Sequence, residues 1–198
     1  MSASPEPPRA SGMVAQIPNL LTLARIAAIP ILVALIAWGT PHARLLAVAL
    51  FVLASVTDFF DGWLARRLNV QSRFGKMLDP IADKLIVAAA LIMLVANGAI
   101  AGAHLIAVLL ILGREIFVSG LREFLALERV TVPVTGLAKW KTTAQLAAIT
   151  ALLLWAAPDA HGAGPTTAVA LLWLATALSI VTGWGYAMAL KPDHQGKP

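Results

Sequence analysis

Six long apolar segments dominate the pattern of hydrophobic and polar positions along the chain. Each is close to the roughly twenty residues that a helix needs to cross the hydrocarbon core of a bilayer. In lipid, backbone amides are satisfied only in helices or closed barrels, and apolar runs of this length do not alternate as barrel strands do. The pattern therefore predicts six transmembrane helices, at residues 20–38, 45–65, 79–97, 101–124, 140–157 and 166–189.

The composition also indicates a membrane protein. Of the 198 residues, 59% are hydrophobic and only 13% are charged, whereas soluble domains are roughly half apolar and a quarter charged. We predict an all-α integral membrane protein with one domain at residues 17–190, between a flexible N-terminal tail (1–16) and a C-terminal tail (191–198). The N-terminal tail lacks the charged-then-apolar opening of a cleavable signal peptide. The chain has no cysteine, which excludes disulfides, thiolate metal sites and cysteine nucleophiles.

Basic residues are concentrated on one side of the predicted helices. They occur before helix one, between helices two and three, between helices four and five and after helix six, whereas the opposite loops contain only Arg44. The positive-inside rule then places both termini and the loop after helix two in the cytoplasm. The net charge of +5 faces anionic headgroups and the cytosol, so we expect membrane lipids and no nucleic acid as partners.

Four of the six aspartates lie in one stretch, residues 58–83, which reads Asp-x2-Asp-Gly-x2-Ala-Arg-x8-Gly-x3-Asp-x3-Asp. Ionised carboxylates are costly near lipid and are usually present because they have a function. On a helix that advances about 100° per residue, Asp58, Asp61, Gly62 and Ala65 fall on one face, because spacings of three, four and seven residues share a face. Helix two is therefore predicted to present two carboxylates together.

The second pair of carboxylates, Asp79 and Asp83, lies one turn apart at the predicted start of helix three. Pro80 would occupy its first turn, where proline is tolerated. If helices two and three pack as an antiparallel hairpin, the four carboxylates converge. Hard oxygen ligands of this kind suit Mg²⁺ or Mn²⁺, which often take their remaining ligands from water and phosphate. Small residues at 62, 65 and 75 leave room for a ligand. The stretch therefore predicts an active site at the cytoplasmic ends of helices two and three, in the form of a cleft that binds metal ions and phosphate.

The stretch at 58–83 is identified as the full signature of the CDP-alcohol phosphotransferases. These membrane enzymes transfer a phosphatidyl or related group from a CDP-linked donor to an alcohol, and all eight signature positions are present here without substitution. Flanking segments resemble the bacterial branch that makes phosphatidylglycerophosphate from glycerol 3-phosphate. These segments are residues 17–22 with Arg25, residues 113–123 and residues 139–145.

The resemblance implies a set of ligands and residue roles. It implies two divalent ions, Mg²⁺ or Mn²⁺, bound by Asp58, Asp61, Asp79 and Asp83. Asp83 would also act as the general base, taking the proton from the acceptor hydroxyl. The donor CDP-diacylglycerol would be bound by Asn19, Thr22, Gly62, Ala65, Arg66, Ser72 and Gly75. The resemblance further implies a multi-pass protein of the bacterial inner membrane, acting as a homodimer.

The acceptor is indicated by cations outside the aspartate stretch. Glycerol 3-phosphate carries a phosphate dianion, which needs positive partners that a neutral alcohol does not. Arg114 and Arg122 on helix four, with Lys139 and Lys141 at the start of helix five, lie on the same membrane side as the aspartates. Arginine can bind phosphate through two parallel hydrogen bonds, and lysine adds a point charge. We predict that these four residues bind the acceptor phosphate.

Other interpretations stay open. Arg114 could instead form an intramembrane pair with Glu115, and the other three cations could serve only to orient the helices. Within the same family, the acceptor could be inositol phosphate or serine. A different class of protein, an ion or proton transporter with an aspartate relay, is opposed by the clustering of the carboxylates at one membrane face.

Overall fold

The described part of the chain forms six α-helices and one short 3-10 turn. The computed structural model describes residues 17–68, 73–128, 136–155 and 163–188, and these contain no strand. Each of the six apolar segments predicted above falls on one helix, so the all-helical fold class is confirmed. The helices are α1 (Ile17–Trp38), α2 (Pro41–Leu68), α3 (Arg73–Ala96), α4 (Leu105–Leu127), α5 (Gly136–Trp155) and α6 (Ala163–Met188), with the 3-10 turn at Gly102–His104.

Helix α3 begins six residues before the predicted position. It starts at Arg73, so Pro80 lies inside the helix and not in its first turn, as the sequence suggested. The prediction was wrong because it followed the long apolar run of helix three, whereas the first turns of α3 mix charged residues with the apolar Phe74, Met77 and Leu78. Proline cannot donate a helical backbone hydrogen bond. Its carbonyl oxygen accepts a hydrogen bond from Lys84 Nζ at 2.9 Å, which fixes one polar group of this segment.

Four segments of the described chain are long and apolar enough to cross a membrane. They are Leu20–Trp38, Pro41–Asp58, Gly102–Leu127 and Gly164–Tyr186. The other two helices, α3 and α5, are less apolar because charged and polar residues occupy their first halves. Several of these residues belong to the site predicted from the sequence, among them Asp79, Asp83, Lys139 and Lys141.

Helix α1 packs against both α2 and α3, whereas α2 and α3 make few contacts with each other among the described residues. The predicted α2–α3 hairpin involves the end of α2 and the start of α3, where the side chains of residues 59–74 lie outside the described residues, so it stays a prediction. In the described part of the chain, α1 contacts both helices. Leu32 of α1, Phe51 of α2 and Leu91 of α3 are fully buried in one cluster. An apolar helix can pack on any neighbour, which is why the sequence pattern alone did not show this arrangement.

Buried polar side chains collect at one end of the hydrophobic core. The main core contains the later residues of α1, α3 and α5 and the earlier residues of α2, α4 and α6. The buried polar residues lie at the opposite ends of α1, α5 and α6, and they include Arg25, Lys141 and Thr182. Because buried polar groups are retained only where they have partners, this end of the helix bundle is where a functional site is expected.

Candidate active site

A cavity of about 870 Å³ opens at the polar end of the core. Side chains from five helices, α2 to α6, line it. The lining combines carboxylates of α2 and α3 with cations of α4 and α5, so the aspartate stretch and the predicted acceptor residues share one cavity. Its charged residues are Asp58, Asp83, Lys84, Arg114, Glu115, Arg122, Glu123, Lys139 and Lys141.

Asp58 is held by a cation from α1. The guanidinium of Arg25 is almost fully buried, and its NH1 lies 2.6 Å from Asp58 Oδ1. Asp58 itself is 38% exposed, so its carboxylate is fixed on one side and accessible from the cavity. In the sequence, Arg25 stood out only as part of the family resemblance. A lone charge inside an apolar helix was the signal that could have revealed this role.

Asp79 is also held by α1. Thr22 is buried, and its Oγ1 donates a hydrogen bond to Asp79 Oδ1. Thr22 was predicted to contact the donor, a role that stays a prediction, and the structure adds its bond to a signature aspartate. Because Thr22 and Arg25 lie three residues apart, one face of α1 contacts carboxylates on both α2 and α3.

The predicted metal ligands are only partly described. Asp61, Gly62, Ala65 and Arg66 lie in α2, but their side chains are outside the described residues, as are Ser72 and the side chain of Asn19; Gly75 is buried in α3. In the described part of the chain, no three histidine or carboxylate side chains lie close enough together to hold a metal ion. The donor chemistry nevertheless fits Mg²⁺ or Mn²⁺, because every predicted ligand is a carboxylate oxygen.

Arg114 makes three side-chain contacts, and two of them connect α4 to α6. Its Nε donates to the backbone oxygen of Ser179 at 3.1 Å, and its NH2 donates to Thr182 Oγ1 at 3.1 Å. Its NH1 lies 3.1 Å from Glu115 Oε1. The intramembrane pair with Glu115, left open above, is thus present, and Arg114 still reaches the cavity wall.

Glu115 is shared between two cations. The same Oε1 that contacts Arg114 also accepts a hydrogen bond from Lys141 Nζ, whose side chain is only 7% exposed. The three groups carry a net charge of +1, and all three line the cavity. A carboxylate between two buried cations reduces their mutual repulsion and fixes their positions. From the sequence, Glu115 was expected only as a partner of Arg114, and its contact with α5 was not predicted.

The two remaining acceptor candidates are exposed at the cavity. Arg122 and Lys139 are exposed, and neither forms an ion pair with a described side chain. Arg122 stacks near Tyr186 of α6, with its Cζ 5.9 Å from the ring centroid, a distance at which a cation is attracted to an aromatic face. Asp83 is exposed as well and lines the same cavity. A ligand that enters therefore meets a carboxylate and two cations that form no ion pair within the described part of the chain.

Comparison with known proteins decides the family. A sequence model described as CDP-alcohol phosphatidyltransferase matches residues 15–181. The chain belongs to this family. It is 49% identical to a Rickettsia bellii protein over 175 residues, covering 88% of this chain and 95% of the relative. It is 43% identical to a Bacillus subtilis protein over 182 residues, covering 86% and 92%. Both relatives are named CDP-diacylglycerol--glycerol-3-phosphate 3-phosphatidyltransferase.

In this CDP-alcohol phosphatidyltransferase, the residues matched by the family model include both the carboxylates and the cations that line the cavity. The match includes the aspartate stretch and the cations at positions 114–141. Three residues of α6 that contact the cations or lie against them, Thr182, Gly183 and Tyr186, come after the end of the match. These contacts were not visible in the sequence because they join residues that are distant along the chain, such as the 68 positions between Arg114 and Thr182.

Proposed function

We propose that this CDP-alcohol phosphatidyltransferase transfers the phosphatidyl group of CDP-diacylglycerol to sn-glycerol 3-phosphate. The products are phosphatidylglycerophosphate and CMP, and the reaction is a step of phospholipid biosynthesis. The observation that supports this most is that one cavity holds two signature aspartates together with four cations of α4 and α5. The names of the relatives carry the same pair of substrates.

The cations give a physical reason for a phosphorylated acceptor. A serine or simple polyol acceptor brings no phosphate dianion, and an excess of cations in the cavity would then be costly to keep. Arg122 and Lys139 are exposed and free of described ion pairs, so they are placed to receive the acceptor phosphate. Arg114 and Lys141 are fixed by Glu115 and line the same cavity, so they are placed to bind the same phosphate.

The transfer proceeds by direct displacement at phosphorus. The primary hydroxyl oxygen of glycerol 3-phosphate bonds to the phosphorus of the phosphatidyl group, and the bond from that phosphorus to the CMP oxygen breaks. Asp83 takes the proton of the attacking hydroxyl, and CMP leaves with the electron pair. Asp83 suits this role because it lines the cavity that also contains the acceptor cations, and a base must lie within hydrogen-bond reach of its proton.

The aspartates of α2 and α3 are proposed to hold two divalent ions, Mg²⁺ or Mn²⁺. The ligands would be Asp58, Asp61, Asp79 and Asp83. When bound, such ions neutralise the diphosphate and the charge that develops on the leaving CMP. Arg25 contacts Asp58 and Thr22 contacts Asp79. These contacts orient the two carboxylates, as hydrogen-bond partners of metal ligands commonly do.

The donor site and the membrane setting complete the proposal. The CMP and diphosphate parts would be bound by Asn19, Thr22, Gly62, Ala65, Arg66, Ser72 and Gly75. All six helices would cross the bacterial inner membrane, with both termini and the cavity facing the cytoplasm and two copies forming a homodimer. The distribution of basic residues supports this orientation, and the buried polar end of the core is consistent with a headgroup-level site.

The proposed acceptor is tested with purified protein in detergent. CDP-diacylglycerol and Mg²⁺ are supplied with glycerol 3-phosphate, glycerol, serine or inositol phosphate in separate reactions, and CMP and the lipid product are measured. We expect release with glycerol 3-phosphate to exceed that with unphosphorylated glycerol about 10³-fold, since lost charge-assisted hydrogen bonds are costly. A chelated sample should be inactive. If CMP is released with inositol phosphate or serine but not with glycerol 3-phosphate, glycerol 3-phosphate is rejected as the acceptor, and the family assignment stands.

A further inference from the structure

We propose that Gly183 of α6 is a positioning residue for the acceptor. Its lack of a side chain lets Arg114 lie across α6 and direct its remaining N–H groups into the cavity. The inference rests on the proposed function, because it concerns the binding of the acceptor phosphate. Gly183 lies beyond residues 15–181, the part of the chain matched by the family.

The space at Gly183 is filled by Arg114. A Cβ built at position 183 would lie 3.0 Å from Arg114 Cγ and 3.4 Å from its Nε. A separation of 3.0 Å between a Cβ and another carbon is well inside ordinary van der Waals contact, so any side chain here would displace the arginine. Gly185, two residues further along the same helix, has open space around it, with nothing within 4 Å.

The surface of α6 around Gly183 also supplies the hydrogen-bond acceptors of Arg114. Ser179, Thr182 and Gly183 are three and four positions apart and therefore share one face of the helix. The carbonyl of Ser179 accepts from Nε and the hydroxyl of Thr182 accepts from NH2. The Thr182 hydroxyl donates in turn to Leu178 O at 2.7 Å, which leaves its lone pairs available to the arginine. This face, residues 179–183, forms a seat for Arg114.

The seat determines which arginine protons reach the ligand. A guanidinium has five N–H donors. Three of those of Arg114 form hydrogen bonds, to Ser179, Thr182 and Glu115. Two remain without an acceptor among the described residues, and Arg114 lines the cavity. Two free N–H groups in a fixed plane match the oxygens of a phosphate. Displacing the side chain by a few tenths of an ångström would misalign both.

The test compares Gly183→Ala with Gly185→Ala. Both substitutions add one methyl group to the same helix and raise its intrinsic helix preference, but only the first meets Arg114. We expect Gly183→Ala to raise the KM for glycerol 3-phosphate about tenfold, the size expected for a weakened charge-assisted hydrogen bond. Its kcat, its KM for CDP-diacylglycerol and its thermal stability should match those of Gly185→Ala, whose acceptor KM should equal that of the wild type.

The outcomes separate the two proposals. If the wild type releases no CMP with glycerol 3-phosphate, the proposed function is rejected. If the wild type is active and both variants show its acceptor KM, only the positioning role is rejected. A fall in kcat or a rise in the KM for both substrates in Gly183→Ala would indicate a general structural effect and would also overturn it.

A second pair of variants is used if the Gly183→Ala protein cannot be produced in folded form. Thr182→Val removes the hydroxyl that accepts from Arg114. Thr176→Val removes a buried hydroxyl whose partner among the described residues is Leu172 O of its own helix, at 2.8 Å. We expect a higher acceptor KM in Thr182→Val alone. Equal KM values in the two threonine variants would contradict the role of the seat.

Discussion

Asp83→Asn is expected to lower kcat about 10³-fold, the typical contribution of a positioned general base. Asparagine has nearly the same shape as aspartate, but its amide cannot take the proton of the acceptor hydroxyl. Because Asp83 lines the cavity that contains the acceptor cations, the loss should appear in turnover and leave the KM for CDP-diacylglycerol within about twofold. The measurement is the steady-state rate of CMP release by purified variant and wild type.

Glu123→Gln provides the matched control for Asp83. Glu123 is an exposed carboxylate of α4 that lines the same cavity and forms no ion pair with a described side chain. The same change from carboxylate to amide should leave kcat within about twofold there, as for other surface substitutions without a specific partner. Near-normal turnover in Asp83→Asn, or an equal loss in both variants, would remove Asp83 as the base.

Glu115→Gln is expected to lower the free energy of unfolding by about 3 kcal/mol, because breaking a buried ion pair leaves an uncompensated charge. The side chains of Lys141 and Glu115 are 7% and 15% exposed, so Lys141 would lose its anion in a site with little water. Arg114 would retain Ser179 and Thr182. Denaturant unfolding in detergent micelles, followed by loss of helical signal, measures the change.

A double variant separates charge from packing at the same site. Adding Lys141→Met to Glu115→Gln removes the unpaired cation and replaces it with an apolar side chain of similar length, which is often neutral or stabilising. We expect the double variant to regain most of the lost stability but not the acceptor affinity. If Glu115→Gln alone is as stable as the wild type, Glu115 does not hold the two cations together.

The helices were predictable because lipid restricts the chain so strongly. Apolar runs of about twenty residues have few alternatives in a bilayer, and all six fall on helices. The start of α3 was missed because charged residues interrupt the turns between Arg73 and Pro80, so the continuous apolar run that was used to predict the helix begins later. The position of α1 between α2 and α3 was missed because a helix that is apolar all round does not indicate its neighbour.

The site was predictable where its residues form a local pattern. Spacings of three and four predicted that Asp58 shares a face with Asp61 and that Asp79 shares one with Asp83. In the described part of the chain, the cations of α4 and α5 line the same cavity as Asp58 and Asp83. Contacts across 57 to 68 positions of sequence, such as Thr22 with Asp79 or Arg114 with Thr182, depend on how helices pack. No periodicity within one helix contains that information.

The most direct test of the account is the stoichiometry of a single reaction. Purified protein is given CDP-diacylglycerol, Mg²⁺ and isotopically labelled glycerol 3-phosphate, and CMP and labelled lipid are quantified over the same time course. The account predicts that the two products appear in equal molar amounts, with the label in phosphatidylglycerophosphate. CMP release without labelled lipid, or the absence of CMP release, would contradict it.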